Sequence, residues 1–377
     1  MLIKNCTYLS DAFVFEKGDI RIEDEKIVEI AEKIEEKAGE KIIDAGFKKV
    51  IPGLIDIHTH GSRGFDTCDN IYDGFKTITK YMADNGITSY MPTTMTLSKE
   101  ALVDIMKTVK KFKDEQEEGC YIQGINMEGP YFNMAKKGAQ NGDYIMDPDF
   151  DHFMEIYEAC GGIIKIVGVA PELPGAEEFI KKASKLCTVS IGHTNAKYED
   201  AVKAIESGAT HTIHLFNAMP GYTHREPGVI GAIMDSECTA ELICDGIHIH
   251  PAVIRNTFKT LGDDRVVLIS DSMKACGMED GMYDLGGQDV IVKGNLATLK
   301  DGTIAGSATN VMQCMRNVVK FGILLENAVK AATINPAKVI GVDDICGSIK
   351  EGKNADIVIL EENLDISKII IKGKEYK

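Results

Sequence analysis

The sequence predicts an α/β protein: a (β/α)8 TIM-like barrel, with a small β domain assembled from the two ends of the chain. Three observations predict it. From Pro52 onward, segments of strand character alternate with helical stretches until eight strands are counted. Before and after that run the pattern is strand-like only. Residue types that ligate metals recur where successive strands end, and barrels of this class carry their active sites there.

Composition sets the bounds. With 377 residues, 44% of them hydrophobic, the chain can fill one barrel-sized domain and a smaller one. The formal charge of −16 argues against a nucleic-acid partner but leaves room for a local cationic pocket that takes one small anion. The ten cysteines are scattered without a Cys-x-x-Cys pair, which reads as reduced thiols in a cytoplasmic protein. Residues 1–5 lack a charged-then-apolar signal pattern, and no apolar run approaches the ~20 residues of a membrane span, so no membrane partner is expected.

Taken in order, residues 2–9, 18–22 and 26–30 alternate or are rich in β-branched side chains, and 41–46 leads into the strand before His58. This head, residues 1–51, is expected to pair with a tail, residues 341–377, whose strand patterns fall near 355–360 and 368–372. The barrel is expected over residues 52–340. Its first strand runs into Pro52-Gly53-Leu54-Ile55-Asp56-Ile57-His58-Thr59-His60-Gly61. The second is 87–93, after a helix closed by Asn85-Gly86. A helix over 100–113 has Ser98 as its N-cap. Strands three to eight are 121–128, 163–169, 187–193, 210–214, 239–245 and 266–271, with helices such as 176–186 and 197–207 between them.

Strand alternation puts His58 and His60 on one face, one pleat apart, a spacing that suits two imidazoles on one ion. Glu128 ends strand three, His193 strand five, His214 strand six and Asp271 strand eight. Each alone has a plainer reading: Glu128 before Gly129-Pro130 could open a loop, and His193 could cap a helix. Together, at one end of one barrel, they point to a metal site. Imidazoles and carboxylates suit Zn²⁺ first, with Fe²⁺, Mn²⁺ or Co²⁺ as further candidates. A metal at such a site lowers the pKa of its water to roughly 7, and Asp271 can take up that proton and return it to a leaving amine. His248, just past strand seven, could polarise a substrate carbonyl. His211 is expected to face away from His214 and to be packed, while His152, His224 and His250 read as surface or loop residues.

With these residues in place, nearly the whole chain resembles the amidohydrolase superfamily and, within it, the N-acetylglucosamine-6-phosphate deacetylases. The resemblance rests on Pro52–Gly61, Glu128-Gly129-Pro130, Lys137-Gly138-Ala139-Gln140, Gly192-His193-Thr194, Asp245-Gly246-Ile247-His248, Ser270-Asp271 and Ala305-Gly306-Ser307. The run His214-Leu215-Phe216-Asn217-Ala218-Met219, followed by Arg225-Glu226-Pro227-Gly228, is specific to the deacetylases. The resemblance implies Glu128, His193 and His214 as ligands of a main metal. It implies a second ion on His58 and His60 with Glu128 bridging, so one or two divalent ions per subunit. It also implies Asp271 as general base and acid and His248 on the acetamide carbonyl. Gln140, Asn217 and Ala218 would line the sugar-phosphate site, and Arg225 would reach the phosphate across a homodimer interface. It makes the small domain a β-sandwich, the substrate an amino-sugar phosphate and the reaction deacetylation in amino-sugar catabolism. No Lys stands at the Glu128 strand end, which argues against the branch that uses a carboxylated lysine. The competing readings are N-acetylgalactosamine 6-phosphate as substrate, a deaminase or dihydroorotase-like hydrolase of another small amide, and a non-catalytic sugar-phosphate binder.

Overall fold

The computed structural model describes residues 1–377. The head forms β1 (Leu2–Leu9), β2 (Phe15–Glu23), β3 (Lys26–Ala31), β4 (Ile42–Asp44) and β5 (Lys49–Pro52). There follow β6 (Leu54–Thr59), a short hairpin of β7 (Gly61–Ser62) and β8 (Phe65–Asp66), α1 (Tyr72–Asp84), β9 (Ile87–Pro92) and α2 (Lys99–Glu115). Ser98 caps α2 as expected, accepting from the Ala101 N–H. Next come β10 (Tyr121–Ile122), β11 (Ile125–Met127), α3 (Phe150–Ala159), β12 (Ile164–Val169), α4 (Ala176–Ala183), β13 (Thr188–Ile191) and α5 (Tyr198–Ser207). They are followed by β14 (His211–Thr212), α6 (Gly228–Met234), β15 (Thr239–Ile243), α7 (Pro251–Leu261) and β16 (Val266–Ile269). An antiparallel insert of β17 (Gly281–Leu285), β18 (Gln288–Lys293) and β19 (Leu296–Thr298) precedes α8 (Val311–Lys320), α9 (Leu325–Ala332) and α10 (Ile334–Val339). The tail is β20 (Ile357–Leu360), β21 (Ile366–Ile371) and β22 (Lys374–Glu375).

The eight expected parallel strands are present, but the third is split at Gln123-Gly124 into β10 and β11. The strands therefore form a curled parallel sheet in two ladders, β6-β9-β10 and β11 to β16, rather than one continuous ladder. Single bridges join the ladders: Thr93 to Asn126 on one side, and Thr59 to Ser272 on the other. Head and tail share an eight-stranded sheet in which β20 lies antiparallel against β5. That sheet has its own apolar core, including Ile3, Ile20, Ile22, Val50, Ile357 and Ile370.

Alternation sets which side chains reach the interior. Along β15, Ala240 and Leu242 join the cluster between strands and helices, so Glu241 and Ile243 take the opposite face. Along β16, Val266 and Leu268 join the same outer cluster, and Val267, Ile269 and then Asp271 follow the inner course. The inner apolar residues cluster with Ile334 and Ala337 of α10. The insert has no counterpart in the sequence expectation. Its strands are exposed on one side, and it buries Leu285, Val290 and Val292 against Met95, Met273 and Ala305. No helix is long and apolar enough to cross a membrane.

Candidate metal and active site

The strand-end residues meet. His193 Nε2, His214 Nε2 and Glu128 Oε1 lie 3.1 Å from one another. His58 Nε2 is 3.5 Å from Glu128 Oε1, and His60 Nε2 is 3.3 Å from Glu128 Oε2. Asp271 Oδ1 is 3.2 Å from His60 Nε2 and 3.7 Å from His58 Nε2. Glu128 thus faces all four imidazoles, and His58 belongs to both compact ligand groups, His58-His60-Asp271 and His58-Glu128-His214. All six residues are buried.

Local backbone explains how they converge. His193, His214 and Asp271 have φ of +45°, +26° and +49°, the left-handed region that ordinary residues avoid. Each stands just past its strand, where the chain turns sharply. Such outliers concentrate at sites whose geometry is imposed by surroundings. Gly129 turns the chain after Glu128 with φ +86°, and a Cβ there would meet Thr96 Oγ1 at 2.1 Å.

Hydrogen bonds behind the rings fix which nitrogen faces the site. His193 Nδ1–H donates to the Lys136 carbonyl at 3.0 Å, and the ring stacks on Phe132 at 4.5 Å. His60 Nδ1–H donates to the Thr93 carbonyl at 3.3 Å, and His58 Nδ1–H to Glu241 Oε2 at 2.8 Å. In each neutral ring Nε2 is then a bare lone pair aimed at the site. His58 Nε2, fully buried, has no hydrogen-bond partner. Three of the four rings thus turn a lone pair toward buried carboxylate oxygens, an arrangement that fits a divalent cation. Electrostatics agree. Burial opposes the charge on Glu128, yet His58, His193 and His214 hold its carboxyl well below the usual range. Glu241, equally buried, is drawn down to about 2 by His58 and His211. Burial opposes the charged imidazole of His60, but Asp271 and Glu128 push it up to about 10. The cluster therefore calls for positive charge at its centre.

A cavity of about 510 Å³ opens above these residues. His248, Asn217 and Ala218 line it. His248 Nδ1–H donates to Asp245 Oδ2 at 2.7 Å, and although burial resists it, that bond holds the Asp245 carboxyl below its usual range. Gln140 also lines the cavity, but its amide is engaged: Nε2–H donates to Glu128 Oε2 at 2.8 Å, and Oε1 accepts the Thr96 N–H at 2.7 Å. Arg225 is exposed and does not line the cavity; it makes no ion pair with Glu226. His224 and His250 are exposed, whereas His152 is half-buried, with Nδ1 2.9 Å from Tyr131 Oη.

Several site residues were not legible in the sequence. Lys136 and Lys137 line the cavity, with only carbonyl oxygens within reach of their ammonium groups. Leu285, Gln288 and Leu299 reach it from the insert and its flank. Asp56 is fully buried; it accepts from Ser270 Oγ at 2.5 Å and ties the first strand to the end of the eighth. Burial pushes its carboxyl up to about 7. Glu241 lies behind His58; the one signal for it was a charged residue inside an apolar strand. His211 is packed, but it does not face away from the site as expected: its Nε2 lies 3.1 Å from Oε1 of the interior-facing Glu241, because His214 stands past the end of the strand where alternation no longer holds.

Residues 49–376 match the amidohydrolase family. The chain is 34% identical to N-acetylglucosamine-6-phosphate deacetylase of Bacillus subtilis, over 99% of this chain and 96% of that one. It is 33% identical to N-acetylgalactosamine-6-phosphate deacetylase of Escherichia coli O157:H7, over 86% of each. Among solved structures, a variant N-acetyl-D-glucosamine-6-phosphate deacetylase from Mycobacterium smegmatis, in complex with N-acetyl-D-glucosamine-6-phosphate, superposes with a TM-score of 0.92 at 29% identity, covering 100% of this chain and 98% of that one. The architecture shared with such neighbours is a TIM-like barrel with a second domain.

Proposed function

The chain belongs to the amidohydrolase family, and from that premise we propose that it hydrolyses N-acetyl-D-glucosamine 6-phosphate to D-glucosamine 6-phosphate and acetate. The observation that carries the reading is the meeting of His193 Nε2, His214 Nε2 and Glu128 Oε1 at 3.1 Å, under a cavity walled by His248 and Asp271. The names of the similar proteins support the same substrate.

Glu128, His193 and His214 would hold the main divalent ion. His58 and His60 would hold a second, with Glu128 shared. Zinc suits the nitrogen-rich set best, ahead of iron, manganese or cobalt. When bound, the ion supplies Lewis-acid activation of water and of the amide carbonyl. The protein supplies the rest. Asp271, held as a carboxylate beside His60, accepts the proton released as the hydroxyl adds to the acetyl carbon. It returns that proton to the sugar nitrogen as the C–N bond breaks, so the amine and acetic acid leave, and the acid gives its proton to the amine or to solvent to become acetate. His248, anchored to Asp245 through its other ring nitrogen, would polarise the acetyl oxygen and stabilise the charge that develops there.

Asn217, Ala218 and Gln140 would bound the sugar, with Gln140 acting mainly by steadying Glu128. In a chain of net charge −16, a phosphate needs local cations. Lys136 and Lys137 are the cations within the protomer. Arg225 would be added from the partner subunit of a homodimer, a role its exposure permits. We assign residues 1–51 and 341–377 to a small β-sandwich and 52–340 to a closed catalytic barrel; the Asp56–Ser270 and Thr59–Ser272 contacts support closure. Ten free cysteines support a cytoplasmic location.

The test is steady-state kinetics of the zinc-loaded and metal-stripped protein on the 6-phosphates of N-acetylglucosamine and N-acetylgalactosamine. A higher kcat/KM for the gluco sugar, lost on metal removal, is expected. Preference for the galacto sugar, or metal-independent turnover, would refute the reading.

A further inference from the structure

Glu241 has no part in the chemistry above, yet it is completely buried on the interior face of β15. An ionised carboxylate so placed must be met by protein donors. Three converge on it. His58 Nδ1–H at 2.8 Å and the backbone N–H of His214 at 3.0 Å share Oε2. His211 Nε2–H donates to Oε1 at 3.1 Å, and its other ring nitrogen lies 2.6 Å from Thr239 Oγ1, so Glu241 is anchored from behind. A carboxylate only accepts, so the ring nitrogens that face it carry the protons. For His58 this leaves Nε2 bare, the atom that faces Glu128 and Asp271 and lacks any other partner.

We infer that Glu241 is a positioning residue for metal binding. It holds His58 as the Nδ1–H tautomer with Nε2 turned to the site. The same oxygen also accepts the His214 backbone N–H, and His211 keeps the carboxylate in place. The inference rests on His58 and His214 as ligands. A residue needed only for packing would be served as well by an apolar side chain, which carries no desolvation cost. Here two of the three bonds go to candidate ligands.

The test compares zinc affinity, by chelator competition and elemental analysis, in wild type, Glu241→Gln, His58→Gln and the double variant. Glu241→Gln is expected to weaken the more loosely held zinc equivalent about 10- to 100-fold, the usual effect of removing such an orienting partner. In the His58→Gln background the same change is expected to cost no more than about twofold, because Glu241 acts through His58. Wild-type affinity in Glu241→Gln, or an undiminished loss in the His58→Gln background, overturns the inference. A wild type that binds no zinc overturns instead the metal reading beneath it. A second measurement does not depend on a variant folding. Nitrogen-15 spectra of zinc-loaded wild type, labelled at histidine, should show His58 protonated at Nδ1 and zinc-bound at Nε2; an unprotonated Nδ1 overturns the inference.

Discussion

Asp356 lies where the terminal sheet meets the first parallel strand, one residue before β20, and its carbonyl accepts the Gly53 N–H at 2.8 Å. Its side chain is 7% exposed, and Oδ1 accepts the Lys372 backbone N–H at 2.8 Å. Burial pushes the carboxyl up from 3.8 to about 6, against the pull of that bond and of the Lys372 charge. A raised carboxyl pKa means that the folded state binds the proton more tightly than the unfolded state. The contribution of this carboxyl to stability is therefore greatest below 3.8, falls as pH rises from about 4 to about 6, and is level above that. Roughly two pKa units at 1.36 kcal/mol each amount to about 3 kcal/mol withheld at neutral pH. Asp356→Asn keeps the acceptor for Lys372 and removes the charge. Relative to wild type, the variant should gain stability between pH 4 and 7 by up to about 3 kcal/mol, near 4 °C in Tm for a chain of this size. Thermal unfolding of both proteins, stripped of metal by a chelator, across pH 4 to 8 makes the measurement. A difference between variant and wild type that stays constant with pH, or that shrinks as pH rises, would refute the reasoning.

Asp271→Asn should retain bound metal and fold, since Asn tolerates the left-handed backbone at φ +49°, while kcat falls by about 10²- to 10⁴-fold; near-normal kcat removes Asp271 as the proton carrier. Replacing His58 by Gln and His60 by Asn should bring zinc content from between one and two equivalents toward one, by elemental analysis, with partial activity left. If that double variant bound no zinc, the Glu128-His193-His214 set would not be the main site. Arg225→Ala should raise KM for the phosphorylated sugar by about 2–3 kcal/mol, roughly 30- to 150-fold, and barely change turnover of the unphosphorylated sugar. An equal loss on both would dismiss the phosphate role, and an active species that sediments as a 41.2 kDa monomer would dismiss the shared site. Gly168→Ala would place a Cβ 2.7 Å from Ile213 Cδ1 and 2.8 Å from Phe132 Cζ, and Phe132 stacks on His193. Overpacking of this kind should cost about 1–3 kcal/mol by denaturant unfolding and weaken zinc binding, and an unchanged protein would show that Phe132 does not steady His193.

The succession of parallel strands and the set of residues that could ligate a metal were legible in the sequence. Hydrophobic period and turn residues are local signals, so the parallel strands, Ser98 as a cap and the β-rich termini could be read directly. His58, His60, Glu128, His193, His214 and Asp271 were legible because each closes a strand in a fold whose strand ends share one rim. Only the tertiary structure decided the rest. The third strand divides at Gln123-Gly124, where the neighbouring strand comes so close that a Cβ at Gly124 would lie 2.3 Å from Lys165 Cγ. The insert over 281–298 borders a cavity that also takes walls from Glu128, His193 and His214, distant in the chain. Glu241 could not be told from a misplaced surface charge until His58, His211 and His214, from two other strands, came to rest against it. A side chain's intrinsic chemistry is written in its own residue. Its partners, and so its tautomer, charge and direction, come from segments that only folding brings near.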